Sequence, residues 1–130
     1  MGWRALKLWG PPLVYMAAIF AVSHVPGEDL GSVRYDKLVH ALEYAVLAAL
    51  LARALAGGLW RVSRPVLVLA LLLTGLYALT DELHQSFIAG RQASVLDVIA
   101  DLAGAGLAML ALAGAARWLR PQAREQVNRP

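Results

Sequence analysis

The chain has 130 residues, 59% hydrophobic and 16% charged, with a mean hydropathy of +0.57, whereas a soluble domain carries about 25% charged residues. That balance places the protein in a membrane, and at roughly 20 apolar residues per span the length suits four helices and leaves no room for an extramembrane domain. The net charge is +3 and cysteine is absent, which excludes disulfides, thiolate metal ligands and a cysteine nucleophile.

Four apolar segments follow in chain order. The first runs from about Leu8 to Val25, with Trp3 and Trp9 as interface anchors and Pro11-Pro12 near the helix start. A cleaved signal peptide is the competing reading, since Ala21-Val22-Ser23 resembles a small-x-small cleavage site, but the apolar stretch is long for one. The second spans about Asp36 to Ala56 and stops at Gly57-Gly58, a helix-breaking pair. The third covers about Pro65 to Thr80, opened by Pro65. The fourth covers about Ser94 to Leu119 and ends near Trp118 and Pro121. The expected fold is therefore all-α: one transmembrane four-helix bundle over residues 1–120, with residues 121–130 a polar C-terminal tail. Alanines 41, 45, 48, 49 and 52 on the second helix, and Gly104 with Ala108 on the fourth, supply the small surfaces on which helices pack in lipid.

Charge sets the orientation. Arg4, Lys7, Arg53, Arg61, Arg64, Arg117, Arg120, Arg124 and Arg129, nine of the twelve basic residues, fall on one side of the spans. By the positive-inside rule that side and both termini are cytoplasmic. The same rule accounts for the basic residues without nucleic acid as a partner, because they form no single stripe. Arg34, Lys37 and Arg91 lie on the other side with every acid except Glu125. The polar chemistry is thus expected to face outward.

That chemistry is dense for a lipid setting, where an unpaired charge costs several kcal/mol. On the second helix Asp36, His40, Glu43 and Tyr44 share one stripe, beside Lys37. On the fourth, Ser94, Asp97, Asp101 and Gly104 do the same, with Asp101 about 6 Å deeper than Asp97. The third contributes Asp81, Glu82 and Gln85, with His84 on another side, and the following turn holds Gly90 and Arg91. Ser23 and His24 end the first helix near the same level. Each group has a plain structural explanation, from snorkelling at Lys37 to helix-dipole pairing at Asp97. Their gathering on one membrane face favours a shared site, because each buried charge needs a partner and the partners are one another.

Catalytic candidates are His40, Glu43, Glu82, Asp97 and Asp101; substrate-binding candidates are Lys37, Tyr44, Asp81, Gln85, Arg91 and Ser94. Arg91 and Lys37 suit an anion such as phosphate, and His40 and Glu82 suit proton transfer. The nitrogen and oxygen donors leave room for a divalent metal, although none is required and no recognised metal spacing is present. Expected partners are membrane lipids and, for some functions, further copies of the chain.

Asp36-Lys37 with His40 and Tyr44, followed by Asp81-Glu82, Gln85, Phe87, Gly90-Arg91, Ser94, Asp97, Asp101 and Gly104, resembles the VanZ-like family of small membrane proteins over about residues 20 to 110. The resemblance implies a compact helical domain in a bacterial cytoplasmic membrane, a lipid-linked envelope precursor as partner, and a link to glycopeptide antibiotic resistance, through the teicoplanin-associated member that names the family. It carries over Lys37, His40, Tyr44, Glu82, Gln85, Arg91, Asp97 and Asp101, the last standing where many relatives have Asn; Glu43 joins on geometry alone. Three function classes remain: an envelope-lipid binding or modifying site, a non-enzymatic membrane protein with a satisfied polar core, and an oligomeric ion or proton transporter.

Overall fold

A computed structural model describes residues 2–27, 36–58 and 62–127. Arg34, Arg61 and Arg129, and the side chains of Asp36, Arg120, Arg124 and Glu125, lie outside the described part. Among the described residues there are four helices and no strand: α1 (Trp3–Ser23), α2 (Asp36–Leu55), α3 (Arg64–Gln85) and α4 (Val95–Val127). Each contains an apolar stretch long enough to cross a membrane, that of α4 being Val95–Trp118. A 20-residue helix is about 30 Å long, the thickness of a bilayer's hydrocarbon core.

The helices alternate in direction. At one end of the bundle Gln85, closing α3, meets Ser23, closing α1; His40, early in α2, meets Asp101, early in α4; and Glu82 near the end of α3 accepts the Ser94 N–H just before α4. At the opposite end, Arg53 near the close of α2 donates to the Lys7 carbonyl near the start of α1. The broadest interface joins α2 to α4, α3 leans on both, and α1 packs chiefly on α2. Small residues allow the central contact: Ala48, Ala52 and Ala105 are fully buried, and a Cβ at Gly104 would collide with the backbone carbonyl of Ala41. Outward lie Leu38, Leu42, Val46, Leu72, Leu76, Leu107 and Leu110, all exposed. Such an apolar girdle would drive aggregation in water and is the surface that lipid covers. The protein is an integral membrane protein.

Three boundaries differ from those expected. Helix α1 starts at Trp3, which puts Pro11 and Pro12 inside it instead of near its first turn. Pro11 has no N–H for the Lys7 carbonyl four residues earlier, and the Arg53 guanidinium donates to that oxygen instead, at 3.2 Å. Helix α3 continues past Thr80 to Gln85, because Asp81 and Glu82 turn into the bundle and find partners there. Helix α4 passes Pro121 and ends at Val127, carried by Ala, Arg, Glu and Gln, all good helix formers. Other expectations hold: Gly57 and Gly58 end α2 with φ of 69° and 142°, and Gly90 makes the turn before α4 with φ of 73°.

Candidate functional site

The polar residues collect at one end of the bundle, where α1 and α3 finish and α2 and α4 begin. Ser94 organises the start of α4. Its hydroxyl accepts the Asp97 N–H at 3.3 Å, a helix cap, and its own N–H donates to Glu82 Oε2 at 2.7 Å. The backbone that opens α4 is thereby fixed to the carboxylate that closes α3.

Two pairs bridge α2 and α4. The Lys37 ammonium donates to Asp97 Oδ1, with the lysine half exposed and the aspartate buried. One turn deeper, His40 Nδ1 is hydrogen-bonded to Asp101 Oδ1 at 3.1 Å, and the Asp101 side chain is only 1% exposed. On α3, Gln85 Nε2 donates to Asp81 Oδ2 at 2.9 Å and to Ser23 Oγ on α1 at 3.4 Å. Glu43 is half-buried within electrostatic reach of His40, Asp81, Asp101 and Arg91. Tyr44 is fully buried, with its ring 6.3 Å from that of Tyr77.

All eleven candidates named from the sequence belong to this network or border it. Lys37, His40, Glu82, Asp97 and Asp101 form its centre, Ser94 serves the backbone, and Asp81 and Gln85 connect it to α1. Four buried atoms have no hydrogen-bond partner among the described residues: Tyr44 Oη, Asp81 Oδ1, Glu82 Oε1 and Arg91 Nε. Buried polar atoms are rarely left so, since each costs about 1–3 kcal/mol. One donor, two acceptors and a hydroxyl are what a polar ligand would satisfy.

His84, set apart from the cluster by helical periodicity, has a role that periodicity does not reveal. Its Nε2 lies 3.2 Å from Nδ1 of His24, one imidazole donating to the other, and Phe20 stacks on His84 with ring centroids 4.5 Å apart. The available signal was the Ser23-His24 pair at the end of one helix and His84 at the end of another, both on the same side of the spans. Nearby, the Gly27 N–H donates to the Ala89 carbonyl at 3.1 Å, and a Cβ at Gly27 would collide with the Gly90 carbonyl. The backbone at Gly27 therefore packs against the turn that leads into Arg91.

Along the bundle an apolar groove of about 360 Å³ opens between α1 and α3, running from Trp9 past Pro12, Met16, Leu73, Leu76 and Tyr77 up to Thr80. Asp81 is the next residue after its rim.

No curated protein and no solved structure matches the chain. The family model described as VanZ/LLP1 matches residues 6–117, a stretch that takes in every residue of the polar network, and the chain belongs to that family.

Proposed function

We propose that the polar end of the bundle is a binding site for the anionic headgroup of a lipid-linked or other envelope substrate, at the outer face of the bacterial cytoplasmic membrane. The observation that carries this reading is the pair of buried donors left without a partner among the described residues, Arg91 Nε and Tyr44 Oη, which phosphate oxygens would accept from. Arg91 supplies a planar fork of donors suited to phosphate, and Lys37 sits at the mouth of the site. The groove that ends at Thr80 gives an acyl or polyprenyl chain an apolar bed adjoining the headgroup site. The charge distribution supports the orientation: Lys7, Arg53, Arg64 and Arg117 belong to the opposite end. In this reading His40 and Glu82 are the proton-transfer groups of any modification step, and the family's link to glycopeptide resistance follows from action on an envelope lipid.

The test is lipid retention. Wild-type protein taken from bilayers containing a polyprenyl phosphate and phosphatidylcholine should retain the phosphate lipid in native mass spectrometry, and Arg91→Ala should lose it while staying folded. No preference of the wild type for the phosphate lipid would overturn the reading.

A second reading, a non-enzymatic protein whose polar core is internally satisfied, is favoured by the Lys37–Asp97 and His40–Asp101 pairs. It predicts that His40→Ala and Glu82→Gln reduce folding and leave no separate loss of turnover or binding.

A further inference from the structure

Where α2, α3 and α4 meet, a ring nitrogen of His40, a carboxylate oxygen of Glu82 and one of Asp97 lie within 4.8 Å of one another. Zinc and comparable ions hold such ligands at about 2.0–2.2 Å, which places neighbouring donors about 3–3.5 Å apart, so side-chain movements of about 1 Å would close the three atoms around an ion.

A second, independent observation points to a ligand at this place. Glu82 is 5% exposed, and while its Oε2 is engaged by the Ser94 N–H, its Oε1 is buried with no partner among the described residues. A third concerns His40, whose Nδ1 is held by the Asp101 carboxylate. A carboxylate behind an imidazole fixes the ring's tautomer and orientation and raises its basicity, the usual outer shell of a metal-bound histidine. Charge points the same way. Five carboxylates, on Glu43, Asp81, Glu82, Asp97 and Asp101, face two permanent cations, on Lys37 and Arg91, among the described residues of this end. Near lipid such a negative excess demands compensation.

We propose that His40, Glu82 and Asp97 bind one divalent transition-metal ion, with Asp101 as the positioning residue that orients His40. One imidazole with two carboxylates suits Zn²⁺ or Mn²⁺ better than Mg²⁺, which prefers oxygen ligands and keeps most of its water. Lys37 shares Asp97 with the ion, so ammonium and metal compete electrostatically for one carboxylate. The proposal deepens the headgroup reading, on which it rests: an ion here would add positive charge at the end of the bundle that carries Arg91, where a phosphate would bind.

The experiment titrates metal-free protein in detergent micelles with Mn²⁺, read by electron paramagnetic resonance, and then competes it off with Zn²⁺. Wild type should take up one ion per chain. Asp97→Asn and Glu82→Gln should each weaken binding by about 100-fold or more, and Asp101→Asn by about 10–100-fold as an outer-shell change. Lys37→Met should tighten binding by roughly tenfold, since it removes a competing positive charge, an effect that a purely structural lysine would not have. Melting curves without metal report whether each variant folds. If Glu82→Gln does not fold, Asp97→Asn and Lys37→Met still decide the matter. Absence of saturable Mn²⁺ or Zn²⁺ binding to wild type at millimolar concentration overturns the site, as does unchanged affinity in folded Asp97→Asn. Lipid retention is measured alongside, with and without chelator. Phosphate-lipid retention without any metal binding sinks the metal site alone, whereas metal binding without lipid retention supports it and sinks the headgroup reading.

Discussion

His40 and Asp101, 61 residues apart in the chain, are joined at 3.1 Å between Nδ1 and Oδ1 across the interface of α2 and α4. The aspartate is almost wholly buried there. Removing the acceptor takes this hydrogen bond from a largely buried imidazole, which costs about 1–3 kcal/mol, whereas Asn keeps a carbonyl oxygen in the same place. Asp101→Leu should therefore lower the melting temperature in detergent clearly, and Asp101→Asn should lower it much less. Equal losses in the two variants would show that the hydrogen bond does not stabilise the bundle.

The same interface depends on Gly104. Its would-be Cβ meets the Ala41 carbonyl, while a Cβ at Gly106, two residues on, meets nothing within 4 Å. Gly104→Ala should force α2 and α4 apart and cost about 1–3 kcal/mol or more, as overpacking does. Gly106→Ala should be neutral or stabilise by about 0.5–1 kcal/mol through helix propensity. Thermal unfolding of the two variants, followed by circular dichroism, checks the contrast in sign.

Pro11 and Arg53 form a compensating pair. The proline denies the Lys7 carbonyl its helical donor, and Arg53 Nη1 supplies another. Arg53→Ala should cost about 0.5–1.5 kcal/mol, the net worth of such a bond. In a Pro11→Ala background, where the helix can satisfy Lys7 itself, that cost should shrink. A double-mutant cycle measures the coupling, and a coupling of zero would mean that Arg53 does not serve the carbonyl freed by the proline.

How much of this could be read from the sequence depends on the range of each interaction. Four apolar runs and the glycines at 57, 58 and 90 locate the helices and two of their turns, because hydropathy and positive φ are local properties. The stripe of Ser94, Asp97, Asp101 and Gly104 was equally visible, since 3.6-residue periodicity fixes which side chains share a face. The apolar run alone stops at Thr80, because Asp81 and Glu82 look like the edge of a span to any hydropathy scale; periodicity puts them on the same helix, but their burial depends on contacts beyond it, of Glu82 with the Ser94 N–H and of Gln85 with Ser23. Nor does periodicity fix how one helix is rotated against the next. It therefore gave no choice of Asp97 for Lys37 or of Asp101 for His40, and it left His84 unassigned although the chain turns it to His24.

Orientation rests on charge alone, and the cysteine-free chain makes it directly measurable. Ala89, in the turn between α3 and α4, and Ser63, just before α3, are both exposed and lie at opposite ends of α3. With the basic residues gathered at the Ser63 end, the positive-inside rule puts that end in the cytoplasm. In intact cells a membrane-impermeant maleimide should then label Ala89→Cys and leave Ser63→Cys untouched until the membrane is permeabilised. The reverse pattern would turn the polar site toward the cytoplasm, where an outer-leaflet headgroup cannot reach Arg91, and would remove the outward-facing envelope substrate from consideration.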